Sequence, residues 1–84
     1  MIMDWINKVQ DIKKQLNSSG FEKLGIELED AQMKLGTQGE MFLSVVTKLK
    51  EIKQNHQEAY SLTKEHIEEI FTYGKSINYL SEDY

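Results

Sequence analysis

Apolar residues recur every three or four positions along four separate segments of this chain, the spacing that places side chains on one face of an α-helix. Polar and charged residues fill the intervening positions, so each segment has one apolar and one polar face. No segment alternates apolar and polar residues with the period of a β-strand. The pattern therefore predicts helices at residues 4–17, 20–35, 38–54 and 62–79.

Residues with particular roles at helix ends mark some of these boundaries. Gly36 is expected to end the second helix in the left-handed conformation that glycine adopts most easily. The hydroxyl of Thr37 can accept a hydrogen bond from the amide of Glu40 while the Glu40 carboxylate reaches back, which predicts a capping box. Gly39 is not needed for that turn, so either another part of the chain approaches it closely or its flexibility is tolerated, and we favour a close contact. The polar stretch before residue 62 is predicted to be a connection, with Ser61 capping the fourth helix.

Four amphipathic helices with short connections predict an all-α fold, an antiparallel bundle of four helices. The length of 84 residues predicts one domain, 1–84, in which residues 81–84 can fray. In the fourth helix the apolar stripe extends to Ile77. The predicted core consists of Trp5, Val9, Ile12, Leu16, Leu24, Leu28, Leu35, Phe42, Val45, Leu49, Ile67, Ile70 and Phe71.

Composition excludes several classes of function. The chain has no cysteine, so it can form neither a disulfide nor a thiolate metal site. Its ten basic residues are all lysine and the net charge is −4, which disfavours a nucleic-acid partner. Residues 56–84 hold six acids and only two lysines. No apolar run approaches the length of a membrane span, so we expect a soluble cytoplasmic protein that does not bind membranes.

The sequence Glu65-His66-Ile67-Glu68-Glu69 superficially resembles the carboxylate and histidine spacing of metal sites in helical bundles. Such a site also needs matching carboxylates that project inward from the facing helices. Glu65 and Glu69 flank the apolar stripe, so both are expected on the solvent face. We therefore predict a protein that is not an enzyme and holds neither a metal ion nor a cofactor.

The second helix carries two apolar residues outside its core stripe, Ile26 and Met33, which bracket the acids Glu29 and Asp30. Apolar residues around carboxylates suit an interface with a basic partner, because the apolar pair supplies buried area and the acids supply electrostatic attraction. The alternative is that Ile26 and Met33 pack at the edge of the core.

The fourth helix offers a second candidate surface at Glu68, Glu69 and Tyr73. Its acidity would attract a basic partner, and tyrosine is a frequent anchor at interfaces. Alternatively, Tyr73 covers the end of the bundle.

Two stretches resemble a known class of protein. The opening "DWINKVQDIKKQL" and the turn "GTQGEMF" are similar to those of short helical bacterial proteins encoded beside toxin genes and regarded as immunity proteins. The resemblance covers Asp4 to about Ile52. The size and acidity of the chain also resemble those of the four-helix immunity proteins of nuclease bacteriocins. The acidic motif with paired tyrosines by which those proteins grip their toxins is absent from this sequence, so no site residues carry over.

The resemblance and the acidic surfaces together predict a binding protein that inhibits a bacterial toxin by covering a basic surface. The alternative is a self-associating structural or adaptor module, in which the apolar residues outside the core form a homodimer.

Overall fold

The structure is a computed structural model that describes residues 4–33 and 36–84. These residues form four α-helices and no β-strand: α1 spans Trp5–Ser18, α2 Glu22–Gln32, α3 Gln38–Asn55 and α4 Gln57–Ser76. The predicted all-α fold is confirmed. No helix in the described ranges is both long enough and apolar enough to cross a lipid bilayer.

The helices form a closed ring in which each packs against two neighbours. α1 contacts α2 and α4, and α3 contacts the same two helices. The short connections reverse the chain direction, so neighbouring helices are antiparallel and the predicted four-helix bundle is confirmed. Among the described residues, α2 therefore packs against α1 and α3 alone, and its face that points away from the bundle axis is exposed.

The predicted core is confirmed for every residue that the structure describes, and Leu35 lies outside the described residues. Six further side chains are buried, those of Ala31, Val46, Ile52, Ala59, Thr63 and Leu80. Ile77 was wrongly placed on the buried stripe, since its side chain is 37% exposed. Leu80, three residues further along the chain, is buried instead.

Side-chain caps are present at the starts of α1 and α3, and the cap at Thr37 is the predicted one. The carboxylate of Asp4 accepts a hydrogen bond from the amide of Asn7 at 3.2 Å. The Thr37 hydroxyl accepts from the amide of Glu40 at 3.1 Å, as the capping box requires. The reciprocal contact differs from the usual one, because the Glu40 carboxylate accepts from the Thr37 hydroxyl itself at 3.3 Å.

The end of α2 lies earlier than predicted. The helix finishes at Gln32, with Met33 as its C-cap, and the remaining predicted residues 34 and 35 lie outside the described residues. Gly36 has a φ of +145°, a conformation that side chains disfavour, so glycine is needed in this connection although it does not immediately follow the helix.

The start of α4 corrects the prediction of a polar connection before residue 62. α4 begins at Gln57, and His56 alone separates it from α3. The extra turn is held by Ala59, which is completely buried, and by the Thr63 hydroxyl, which donates to the carbonyl of Ala59 at 2.8 Å. Ala59 and Thr63 extend the buried stripe of α4 by two turns toward its N-terminus. Alanine is small and threonine is polar, so the pattern of large apolar residues does not reveal this extension.

A Schellman turn ends α4 at Ser76, three residues earlier than predicted. Asn78 adopts a φ of +63°, and the amide of Tyr79 donates to the carbonyl of Gly74 at 2.9 Å. The turn brings the Tyr79 ring over Gly39, where an added Cβ would lie 3.1 Å from the tyrosine hydroxyl. The close contact predicted at Gly39 is thus made by a side chain.

The C-terminal residues return along the bundle after this turn. Residues 81–83 are exposed, whereas the Tyr84 ring packs edge-on against Phe71, with 5.5 Å between ring centroids. The ammonium of Lys50 lies 4.4 Å from the centroid of the Tyr84 ring. The last residue is therefore in contact with both α3 and α4.

Candidate protein-binding surfaces

The candidate residues of α2 lie together on its outer face, which we call the α2 stripe: Ile26, Glu29, Asp30 and Met33. Their spacing of three, four and seven residues places them on one side of the helix and its C-cap. All four are exposed, and Ile26 and Met33 are 59% and 73% exposed. These are the highest values among the large apolar side chains of residues 4–33 and 36–84. The interpretation that Ile26 and Met33 pack at the edge of the core is therefore wrong.

The two carboxylates of the α2 stripe have no ionic partner among the described residues. Within the described ranges, neither Glu29 nor Asp30 makes a salt bridge or a side-chain hydrogen bond. Their neighbours on the same face are apolar. This arrangement leaves two negative charges available to a cationic partner beside apolar surface that the partner can bury.

Glu68 on α4 is instead neutralised by groups of the bundle itself. Its carboxylate accepts from the Tyr60 hydroxyl at 2.7 Å and pairs with the Lys53 ammonium at 3.1 Å. Burial would raise the pKa of Glu68, but these two contacts outweigh it and lower that pKa below its ordinary value. Burial and the same hydrogen bond raise the pKa of Tyr60 to about 12.

Glu69 and Tyr73 also make contacts within the bundle. The Glu69 carboxylate lies 2.6 Å from the Lys8 ammonium of α1, and this hydrogen bond raises the pKa of Lys8. The half-buried Tyr73 ring packs edge-on against Phe42, with 5.9 Å between centroids. A groove of about 850 Å³ runs along this face of α4. A partner docking there would compete with the ion pairs of Glu68 and Glu69. At the α2 stripe, no ion pair among the described residues stands in the way.

A second groove, of about 530 Å³, lies between α2 and α3. It adjoins the α2 stripe through Asp30, and its other wall includes Leu43, which is 43% exposed. Leu43 is not among the surface residues predicted from the sequence. The feature that identified Ile26 and Met33 could have identified Leu43 too, because Leu43 is also an apolar residue outside the buried stripe of its helix.

The histidine and carboxylates of α4 do not assemble a metal site. In the part of the chain that the structure describes, no three histidine or acidic side chains are placed to hold one ion. Glu65 is exposed, and Glu69 is paired with Lys8. The Nδ1 atom of His66 is buried without a hydrogen-bond partner among the described residues.

No protein-family model matches the chain, and no curated protein or solved structure is significantly similar to it.

Proposed function

We propose that this protein is a non-catalytic binding protein that inhibits a bacterial toxin, and that the α2 stripe covers a basic surface of that toxin. The observation that carries the proposal is the exposed acid pair Glu29 and Asp30, which has no ionic partner among the described residues and lies between the two most exposed large apolar side chains of those ranges. The resemblance of residues 4–52 to immunity proteins supplies the biological setting.

The chemistry of the α2 stripe suits such a partner in two ways. Ile26 and Met33 are roughly 10 Å apart along the helix axis, since each helical residue rises 1.5 Å, so they can anchor a contact on either side of the acids. Burying both side chains adds favourable apolar area. Glu29 and Asp30 accelerate encounter with a cationic surface and disfavour acidic competitors.

The order of residues in the α2 stripe argues against a homodimer formed through it. The stripe runs apolar, acid, acid, apolar, so it is the same in both directions. A two-fold antiparallel pairing would set Ile26 against Met33 of a second copy and bring all four carboxylates together in the middle. Such like-charge contact costs several kcal/mol, so the stripe fits a basic partner better than its own copy.

The test is stopped-flow association with the toxin encoded by the neighbouring gene, measured over a salt series. We expect the E29K/D30K variant to associate at least about tenfold more slowly than the parent at low salt, because steering by charge is lost. The difference should shrink as salt rises, since exposed charges are screened beyond about 8–10 Å at physiological ionic strength. Truncation of Ile26 and Met33 to alanine should mainly accelerate dissociation.

The matched control is E82K/D83K, which reverses another pair of adjacent exposed acids and changes the net charge by the same amount. It should slow association less than E29K/D30K and leave dissociation unchanged. Equal effects of the two variants would show that only net charge matters and that α2 is not the contact surface. Absence of any binding to the neighbouring gene product would contradict the inhibitor function.

A further inference from the structure

The groove between α2 and α3 combines an apolar wall with carboxylates at both ends. Ala31 and the exposed part of Leu43 form apolar surface, and Asp30 lies at the same end of the groove. The helices are antiparallel, so Glu27 on α2 and Glu51 on α3 lie together at the other end.

The groove carries more negative than positive charge. Lys48 bridges Glu27 and Glu51, and the Lys48–Glu51 contact measures 3.0 Å. The hydrogen bond from Lys48 lowers the pKa of Glu27, so that carboxylate is ionised at neutral pH. Asp30 has no ion-pair partner among the described residues. Among the described residues that line the groove, one lysine therefore faces three carboxylates, so the lining carries a net charge of −2.

We propose that this groove receives an arginine side chain of the basic partner, with the guanidinium on Asp30 and the aliphatic stem on Leu43. The inference rests on the proposed function and specifies one contact of the same surface. Arginine fits because its planar guanidinium can donate two parallel hydrogen bonds to a carboxylate. Its apolar stem can cover Leu43, which otherwise remains in contact with water.

The probe is N-acetyl-arginine amide, titrated into the isotopically labelled protein and followed by amide chemical shifts. N-acetyl-citrulline amide, which has nearly the same shape without the charge, and N-acetyl-lysine amide are the comparison probes. We expect saturable shifts with arginine that centre on Asp30, Leu43 and Thr47, which all line the groove. The lysine probe should bind more weakly, and the citrulline probe should cause no saturable shifts. Raised salt should weaken the binding of arginine.

Asp30→Asn should weaken arginine binding about tenfold, because the negative charge and one of the two acceptor oxygens for the guanidinium are lost. The matched control Asp11→Asn, the same change at an exposed position of α1, should stay within about twofold of the parent. Leu43→Ala should also weaken binding, and circular dichroism checks that each variant is folded. Equal binding of citrulline, equal loss in both asparagine variants, or no saturable shift with arginine would overturn the proposal.

This result separates the two proposals. If arginine does not bind while E29K/D30K still slows association with the toxin more than its control does, the groove assignment fails and the proposed function stands. If arginine binds the groove but the neighbouring gene product does not bind the protein, the arginine-binding groove stands and the inhibitor function fails.

Discussion

Two buried glycines lie within helices but differ in what a methyl group would meet. An added Cβ at Gly74 would lie 2.5 and 2.6 Å from Cδ1 and Cγ of Leu80 and 3.1 Å from the Phe42 ring. At Gly25 the close neighbour is Oδ1 of Asn17, at 2.6 Å, at the end of an exposed side chain that can turn away. Gly74 is thus required by packing, whereas Gly25 is not.

We expect Gly74→Ala to destabilise the protein by about 1–3 kcal/mol, because overpacking displaces the buried Leu80. Gly25→Ala should be neutral or stabilise by up to about 1 kcal/mol, since alanine has the better helix propensity. Urea unfolding of both variants measures the difference in the free energy of unfolding. Stabilisation by both substitutions would contradict the close packing of Leu80 against Gly74.

The sequence predicts the structural role of a single residue well where that role depends on residues nearby in the chain. The caps at Asp4 and Thr37 depend on residues three positions apart, so they are visible in the sequence. The Tyr79 ring reaches Gly39 only because the chain turns at Asn78, so the sequence predicts a contact at Gly39 but not its partner.

An ionised Glu68 forms an ion pair between α4 and α3, with Lys53, and accepts a hydrogen bond from Tyr60. The folded state lowers the pKa of Glu68 below its ordinary value of 4.5. The unfolded chain therefore takes up the proton at a higher pH than the folded protein. The stabilisation is present above the unfolded pKa and is lost as pH falls through the folded value.

We expect Glu68→Gln to be less stable than the parent at pH 7 and to approach the stability of the parent as the pH falls through the lowered pKa of Glu68, because the glutamate is then protonated and uncharged as well. Urea unfolding at several pH values tests this. Glu82→Gln, at an exposed acid with no ion pair in the described ranges, is the control and should follow the parent throughout. A gap between Glu68→Gln and the parent that stayed constant with pH would show that the charge of Glu68 does not stabilise the fold.

The elements could be predicted where large apolar residues repeat and not where small residues pack. Val9 and Ile12 define α1 from the sequence, whereas Ala59 and Thr63 conceal the start of α4. The candidate surfaces show the same limit. The exposure of Ile26 follows from the absence of a helix over the outer face of α2. The pairing of Glu69 depends on Lys8, which is close only because α1 packs against α4.

Across the whole molecule, the acidic side chains differ in whether lysines of the bundle pair with them. Glu68 and Glu69 are matched by lysines from neighbouring helices, whereas Glu29 and Asp30 are not matched among the described residues. The acids of the α2 stripe therefore determine which surfaces can approach it. The parent should stay monomeric at micromolar concentration, because pairing of two stripes would bring four carboxylates together.

The symmetric order of the α2 stripe leads to a prediction about mixtures. E29K/D30K carries two lysines where the parent carries two acids, so antiparallel pairing of one parent with one variant places opposite charges together and Ile26 against Met33. We expect an equimolar mixture to contain heterodimers in sedimentation velocity at low salt, while each protein alone remains monomeric. Adding I26A/M33A to the charge-reversed partner should abolish them. Equal dimerisation of the parent alone would show that the acids do not prevent self-pairing, and would favour the self-associating module over the toxin inhibitor.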